Sequence, residues 1–199
     1  MDRITRARTS KGDDGYSEVL QGFRIPKKED IYLAQCEMED CLLDAIDILI
    51  DYEHVLDKED LLILKELILI EFNNLGGNIY VGLNPEKFNF DGWEKYVPEK
   101  LHNLLLERLD YFSNKLENAP NFTIPSNRRE SKISRFKVSV RRLEIYLWKI
   151  VYSLYFDPRN APEPAKKIVA TYNCLSDYIY QLNRYISYAY GNKEVYWEQ

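Results

Sequence analysis

The sequence predicts an all-α fold: a bundle of five helices entered through an ordered leading loop. Three observations predict it. Apolar residues recur at spacings of three and four over five separate stretches, glycines and prolines mark the ends of those stretches, and no segment reads as a credible sheet strand. At 199 residues the chain suits one domain with a continuous core. It divides into a leading loop over 1–29 and a helical bundle over 30–190.

The first thirty residues carry Gly12, Gly15, Gly22 and Pro26 among polar residues, a density of breakers that excludes a regular helix and predicts an ordered loop or hairpin-like turn. The first helix runs from about Asp30 to Glu53, where Leu33, Ala34, Met38, Cys41, Leu42, Ala45, Ile46 and Leu49 form one apolar stripe. The second starts near Asp57, an N-cap residue with Asp60 three positions on, and ends before Gly76-Gly77. Its apolar residues nearly encircle it, which predicts a central position. Asn78 to Val97 holds Pro85, Asp91-Gly92 and the approach to Pro98, and reads as a long connection. A third helix follows from Pro98 to about Asn118, the proline being tolerated in a first turn. Ala119 to Ser126 is a loop with two prolines. The fourth helix covers about Arg129 to Phe156 with Phe136, Val140, Leu143, Leu147 and Ile150 on its core side, stopped by Asp157-Pro158. The fifth runs from near Pro162 to Tyr190 and ends at Gly191.

Composition narrows the function. A formal net charge of −5 argues against a nucleic-acid surface, which needs a field of Lys and Arg facing phosphates. Local basic clusters remain, at Arg3, Arg6, Arg8 and Lys11 and at Arg128-Arg129; solvated chain ends are their ordinary meaning. Cys36, Cys41 and Cys174 are odd in number and lack CxxC spacing, no signal peptide or long apolar run is present, and a reducing cytoplasm fits best. With only His54 and His102, a histidine-rich metal centre is hard to build, and the single ExxH at Glu99–His102 falls short of a di-iron bundle, which needs the motif twice with two further Glu.

Three polar features interrupt the bundle pattern. Thr9-Ser10-Lys11-Gly12-Asp13-Asp14-Gly15-Tyr16-Ser17 joins glycines that turn backbone N–H groups toward one point with small hydroxyls, a lysine, and Asp13 or Asp14 as a Mg²⁺ ligand. That is the chemistry of a polyphosphate cradle, without the order of a Walker motif; a Gly-Asp-rich turn without function is the commoner meaning. On the fourth helix Lys137, Arg141, Glu144 and Trp148 share one face, and Arg142 points elsewhere. A solvated salt-bridge face is the usual sense of such spacing, yet the apolar surroundings call for an anionic partner. On the fifth, Asn173, Asp177, Tyr180 and Arg184 share a face, which also suits an interhelix hydrogen-bond network.

Taken in order, these features resemble the signature of the PduO-type ATP:corrinoid adenosyltransferases, trimers built on a ferritin-like up-down helical bundle. The family's T-K-T-G-D-x-G followed by G-x-R-x-P-K is similar to Thr9–Gly15 followed by Gly22-Phe23-Arg24-Ile25-Pro26-Lys27. Its F-x-L-P-G-G resembles Phe122-Thr123-Ile124-Pro125-Ser126-Asn127, its R-x-x-C-R-R-A-E-R resembles Lys137 to Ile145, and its L-N-R-L-S-D-Y-L-F resembles Tyr172 to Tyr180.

The resemblance implies transfer of the 5′-deoxyadenosyl group of ATP to the cobalt of a reduced corrinoid, cob(I)alamin, with release of triphosphate. Thr9, Ser10, Lys11, Gly12, Asp13, Gly15, Ser17 and Lys27 would surround the triphosphate and Mg²⁺. Arg141, Arg142, Glu144 and Asn173 would hold ATP from across a subunit interface, and Phe122 would lie under the corrin and keep cobalt free of a lower ligand. Co(I) is itself the nucleophile, so the protein must orient the ribose carbon and stabilise the departing triphosphate. The family's Asp and Arg that pair between subunits appear as Glu39 and Lys137, a longer acid facing a shorter base. Ser126-Asn127 stands in place of two glycines, and Cys174 in place of an arginine. Expected associations are a homotrimer, a reductase and an adenosylcobalamin-dependent enzyme, with no nucleic acid and no membrane. A non-catalytic ATP- or corrinoid-binding relative and an unrelated helical interaction module are the alternatives.

Overall fold

The structure is a computed structural model that describes residues 12–20, 23–74, 78–84 and 98–197. It opens on a hairpin of β1 (Tyr16–Leu20) and β2 (Phe23–Pro26), antiparallel, with Tyr16 opposite Pro26 and an irregularity between Glu18 and Leu20. Five long helices follow: α1 (Asp30–Tyr52), α2 (Lys58–Asn74), α4 (Glu99–Lys115), α5 (Arg128–Tyr155) and α6 (Glu163–Ala189). A short α3 (Asn78–Leu83) occupies the start of the stretch read as a long connection, whose remainder, 85–97, lies outside the described residues. A second two-stranded ladder pairs β3 (Thr123–Ile124) with β4 (Val195–Tyr196) at the end of the chain. The hairpin-like turn expected before the bundle is therefore a real hairpin. The absence of sheet holds for the core and fails at the β3 loop, because two residues of strand carry no periodicity to read.

The long helices form a closed ring in which α1 packs on α2 and α5, α5 on α6, α6 on α4, and α4 back on α2. Met38, Cys41 and Ile48 of α1, Leu64 and Leu67 of α2, Phe112 of α4, Phe136 and Leu143 of α5, and Leu175 and Ile179 of α6 meet inside it. The expectation that the second helix is central is corrected here. Leu62, Leu69 and Phe72 of α2 are exposed, whereas between Pro164 and Ser187 only Ala170, Asn173 and Asp177 of α6 are exposed. Apolar composition reports how much of a helix can be buried; it does not report on how many sides neighbours stand. Helix α6 is enclosed because its polar side chains find partners inside: the Tyr172 hydroxyl donates to Glu71 (2.7 Å), and the Tyr178 hydroxyl to Asp60 (3.0 Å).

The helix ends follow the local chemistry. Asn127 caps α5 by accepting from the Glu130 N–H at 3.0 Å, and the Glu130 carboxylate reaches back to the Ser126 N–H at 2.6 Å, a capping-box arrangement shifted by one residue. At the end of α6, Gly191 takes φ +67° and the Asn192 N–H donates to the Ser187 carbonyl at 3.0 Å, the glycine-terminated stop expected at that residue.

Candidate functional site

The two polar helix faces singled out in the sequence adjoin each other. Helices α5 and α6 pack side by side, and the Lys137 ammonium of α5 lies 5.2 Å from the ring centre of Tyr180 of α6. Burial pushes the Lys137 amine below its ordinary value, and the neighbouring Arg141 charge adds to this; Asp177 of α6 acts in the opposite sense. Lys137, Arg141, Asp177 and Tyr180 thus share one neighbourhood. The exposed stripe Ala170, Asn173 and Asp177, the one opening along most of α6, faces it.

Within this neighbourhood the charges are not used up by the protomer. Arg141 is exposed, and its guanidinium makes no hydrogen bond or ion pair among the described residues. Asn173 and Asp177 are likewise exposed and make no hydrogen bond among them. Glu144 accepts from the Trp148 indole N–H at 3.3 Å, which fixes both along the same face. A buried salt-bridge network would have paired these groups with one another; the arrangement instead leaves Arg141, Asn173 and Asp177 exposed and without hydrogen bonds among the described residues.

Arg142 does not belong with them. Its guanidinium donates to Glu37 at 2.8 Å and to Asp40 at 3.1 Å on α1, so the residue is committed to the α1–α5 seam and its expected place at the nucleotide is corrected. The reason is angular, since one residue along a helix turns the side chain by about a quarter of the circumference. Glu39 is exposed on α1 and forms no ion pair with Lys137 within the protomer. Helix α5 also presents Val138, Ile145 and Tyr152 outward at heptad spacing, and α1 presents Cys36, Leu43 and Ile50 in the same way.

The leading segment is compact. Lys27 donates from its backbone N–H to the Gly15 carbonyl at 2.9 Å and from its ammonium to the Gly12 carbonyl at 2.8 Å. A side chain at Gly12 would stand 2.8 Å from that ammonium and displace it, and Gly15 has φ +80°, which the turn reserves for glycine. Asp14 is held by Arg24 through two hydrogen bonds of 2.9 and 3.1 Å, and this guanidinium keeps its carboxyl below the usual range. Of the two aspartates offered as Mg²⁺ ligands, Asp14 is therefore taken. Ser17 interacts with the Tyr32 hydroxyl, tying the hairpin to the first turn of α1. Thr9, Ser10 and Lys11 lie outside the described residues.

Phe122 is 77% exposed and stands at the lip of a cavity of about 380 Å³ lined by Phe112, Leu116, Tyr180 and Gln181. Tyr180 belongs both to this cavity and to the Lys137 contact, so the cationic face and the Phe122 cavity are contiguous. Ser126 and Asn127 serve as donors to Glu130, which accounts for side chains where glycines were the comparison. Cys174 is buried, and burial pushes its thiol up to about 11, so it contributes no charge to the site. The buried pair of Arg108 with Asp60, and the buried Glu71, were missed in the sequence. The signal available for each was a charge on the apolar side of an amphipathic helix.

Residues 7–186 match the family model for cobalamin adenosyltransferase. No protein of curated function matches the chain. Among solved structures, the chain is similar to a variant PduO-type ATP:corrinoid adenosyltransferase from Lactobacillus reuteri complexed with cobalamin and ATP, at TM-score 0.70 and 16% identity over 98% of this chain and 100% of that one. A second variant with the same ligands gives TM-score 0.70 and 16% identity over 98% and 97% of the two chains. A third variant, complexed with ATP, gives 0.66 and 16% over 96% and 99%.

Proposed function

Because the chain belongs to the cobalamin adenosyltransferase family, we propose that it transfers the 5′-deoxyadenosyl group of ATP to the cobalt of a reduced corrinoid, releasing triphosphate. The observation that carries the reading is the continuity of the polar face that holds Lys137 and the exposed Arg141 with the cavity at whose lip Phe122 stands, through the shared Tyr180.

The chemistry asks little of the protein beyond placement and charge. Co(I) attacks the ribose 5′ carbon, the C–O bond to the triphosphate breaks, and the electron pair leaves with the phosphate oxygen, so no general base is needed. Arg141, with Lys11 and Lys27 from the leading segment, neutralises the triphosphate as it departs. Glu144 and Asn173 orient the nucleoside. Phe122 occupies the lower side of the corrin and excludes a donor to cobalt, which favours reduction of Co(II). Mg²⁺ fits this site as a companion of the triphosphate and not as a caged ion. Among the described residues no group of three His, Cys, Asp or Glu side chains could hold a metal, and Asp14 is engaged by Arg24, so phosphate oxygens would supply most of the ion's ligands.

The active unit is a homotrimer. The outward apolar stripes on α1 and α5 are different surfaces on one protomer, and joining unlike surfaces head to tail forms a ring when the rotation between neighbours closes, here after three copies. Glu39 of one subunit then meets Lys137 of the next, and the nucleotide lies between its leading segment and the neighbour's Arg141. A reductase supplies the electrons, and an adenosylcobalamin-dependent enzyme takes the product. No helix among the described residues is long and apolar enough to cross a membrane, and the need for ATP suits an ATP-supplied interior such as the cytoplasm.

The direct test is to incubate the purified protein with Mg-ATP and chemically reduced cobalamin and follow the visible spectrum for the Co–C bond. A spectrum that does not change would sink the proposal.

A further inference from the structure

The loop carrying Phe122 is held from below by one helix and one tail. Arg184 of α6 is 7% exposed, and its guanidinium donates to Glu194 at 2.7 and 3.3 Å, to Gln181 at 3.1 Å and to the Glu117 carbonyl at 2.7 Å. Tyr196 donates to the same Glu194 carboxylate. Glu194 leads directly into β4, which pairs with β3 immediately after Phe122. Beyond β4 the Trp197 N–H donates to the Phe122 carbonyl at 2.9 Å, Asn121 donates to the Trp197 carbonyl at 2.7 Å, and the Phe122 N–H donates to the Asn121 side chain at 2.8 Å. Both backbone polar groups of Phe122 are therefore fixed, while its ring stays exposed.

A surface loop of this length is mobile by default, and an aromatic ring on it would sample many positions. Here a buried guanidinium joins three separate segments: the start of the connection after α4, helix α6 and the tail. Such a group is stable only while all its partners are in place, which makes it a single key for the geometry of the loop.

We propose that Arg184 is a positioning residue for Phe122, acting through Glu194 and the β3–β4 pair to hold the ring at the depth that keeps cobalt without a lower ligand. The inference rests on the adenosyltransferase reading above. It makes a distinction that a merely structural role would not. Co(II) binds a lower ligand and is harder to reduce when it does, so the position of Phe122 governs a reaction that starts from Co(II) and a reductant. Co(I) binds such ligands weakly, so a reaction that starts from preformed Co(I) does not depend on it.

The experiment compares Arg184→Gln and Trp197→Pro with the wild type in both reactions. Trp197→Pro removes the N–H that holds the Phe122 carbonyl, together with an exposed indole, and lies outside the bundle, so it tests the idea if Arg184→Gln fails to fold, with Trp197→Ala as the control for the lost ring. Wild type inactive with preformed Co(I) would overturn the underlying reading, whatever the variants do. With an active wild type, the expected result is turnover from Co(I) within about twofold of it. Turnover from Co(II) falls by about tenfold or more, and the four-coordinate Co(II) signal in electron paramagnetic resonance is lost. Arg184→Lys, which keeps the charge without the fork, restores that signal in part. Equal losses in both reactions, or an unchanged Co(II) signal in both variants, would overturn the proposal.

Discussion

Arg141 is distinguished by where it stands. Its guanidinium makes no hydrogen bond or ion pair among the described residues and lies beside Lys137, so it is positioned for an anion from outside. Arg141→Ala is expected to lower kcat/KM by at least about tenfold, close to 1.4 kcal/mol in the transition state, with the melting temperature unchanged. Glu71 is the opposite case, a residue that the fold tolerates at a cost. It is wholly buried, accepts one hydrogen bond from Tyr172, leaves its second oxygen without a partner, and burial pushes its carboxyl up to about 8. The folded protein therefore holds a proton that the unfolded chain releases above its ordinary value of 4.5. Stability falls as pH rises from that value to about 8 and is level beyond it. Glu71→Gln cannot titrate, so denaturant unfolding compared at about pH 5 and about pH 9 should show a loss in the wild type that the variant lacks, on the order of several kcal/mol.

At the scale of elements, α5 carries most of the site, and its start is fixed by chemistry that the sequence displays openly. Although burial alone would raise the Glu130 carboxyl, hydrogen bonds from Ser126, Ser187 and Asn127 outweigh it and hold the group below its ordinary value. Removing the cap with Asn127→Ala should cost about 1 kcal/mol in thermal or denaturant unfolding. Glu130→Ala should cost more, because it strands several donors at once. The Asn-x-x-Glu spacing is legible in the chain, whereas the partnership with Ser187 is not, since it depends on α6 lying beside the start of α5.

For the whole molecule, the decisive expectation concerns assembly. If the α1 stripe of one subunit faces the α5 stripe of the next, Glu39→Lys should convert a trimer to smaller species and depress activity, because Lys137 then meets a like charge. The double variant with Lys137→Glu should recover both in part, as read by sedimentation and by Co–C bond formation. A trimer unaffected by Glu39→Lys would remove this contact from the interface.

The five helices, their approximate ends and the two polar faces of α5 and α6 follow from the sequence, because periodicity and end-capping are local properties that neighbours in the chain determine. The order of the family motifs is also a property of the chain alone. Tertiary structure decided which side of each helix meets a neighbour. It enclosed α6 and left α2 partly open, tied Arg142 to α1, left Arg141 without a hydrogen bond or ion pair among the described residues, and brought Glu194 to Trp197 against the Phe122 loop. Those outcomes depend on contacts between residues tens of positions apart, such as Asn121 with Trp197 and Arg184 with Glu117, and no local pattern encodes which distant partner a polar side chain will find.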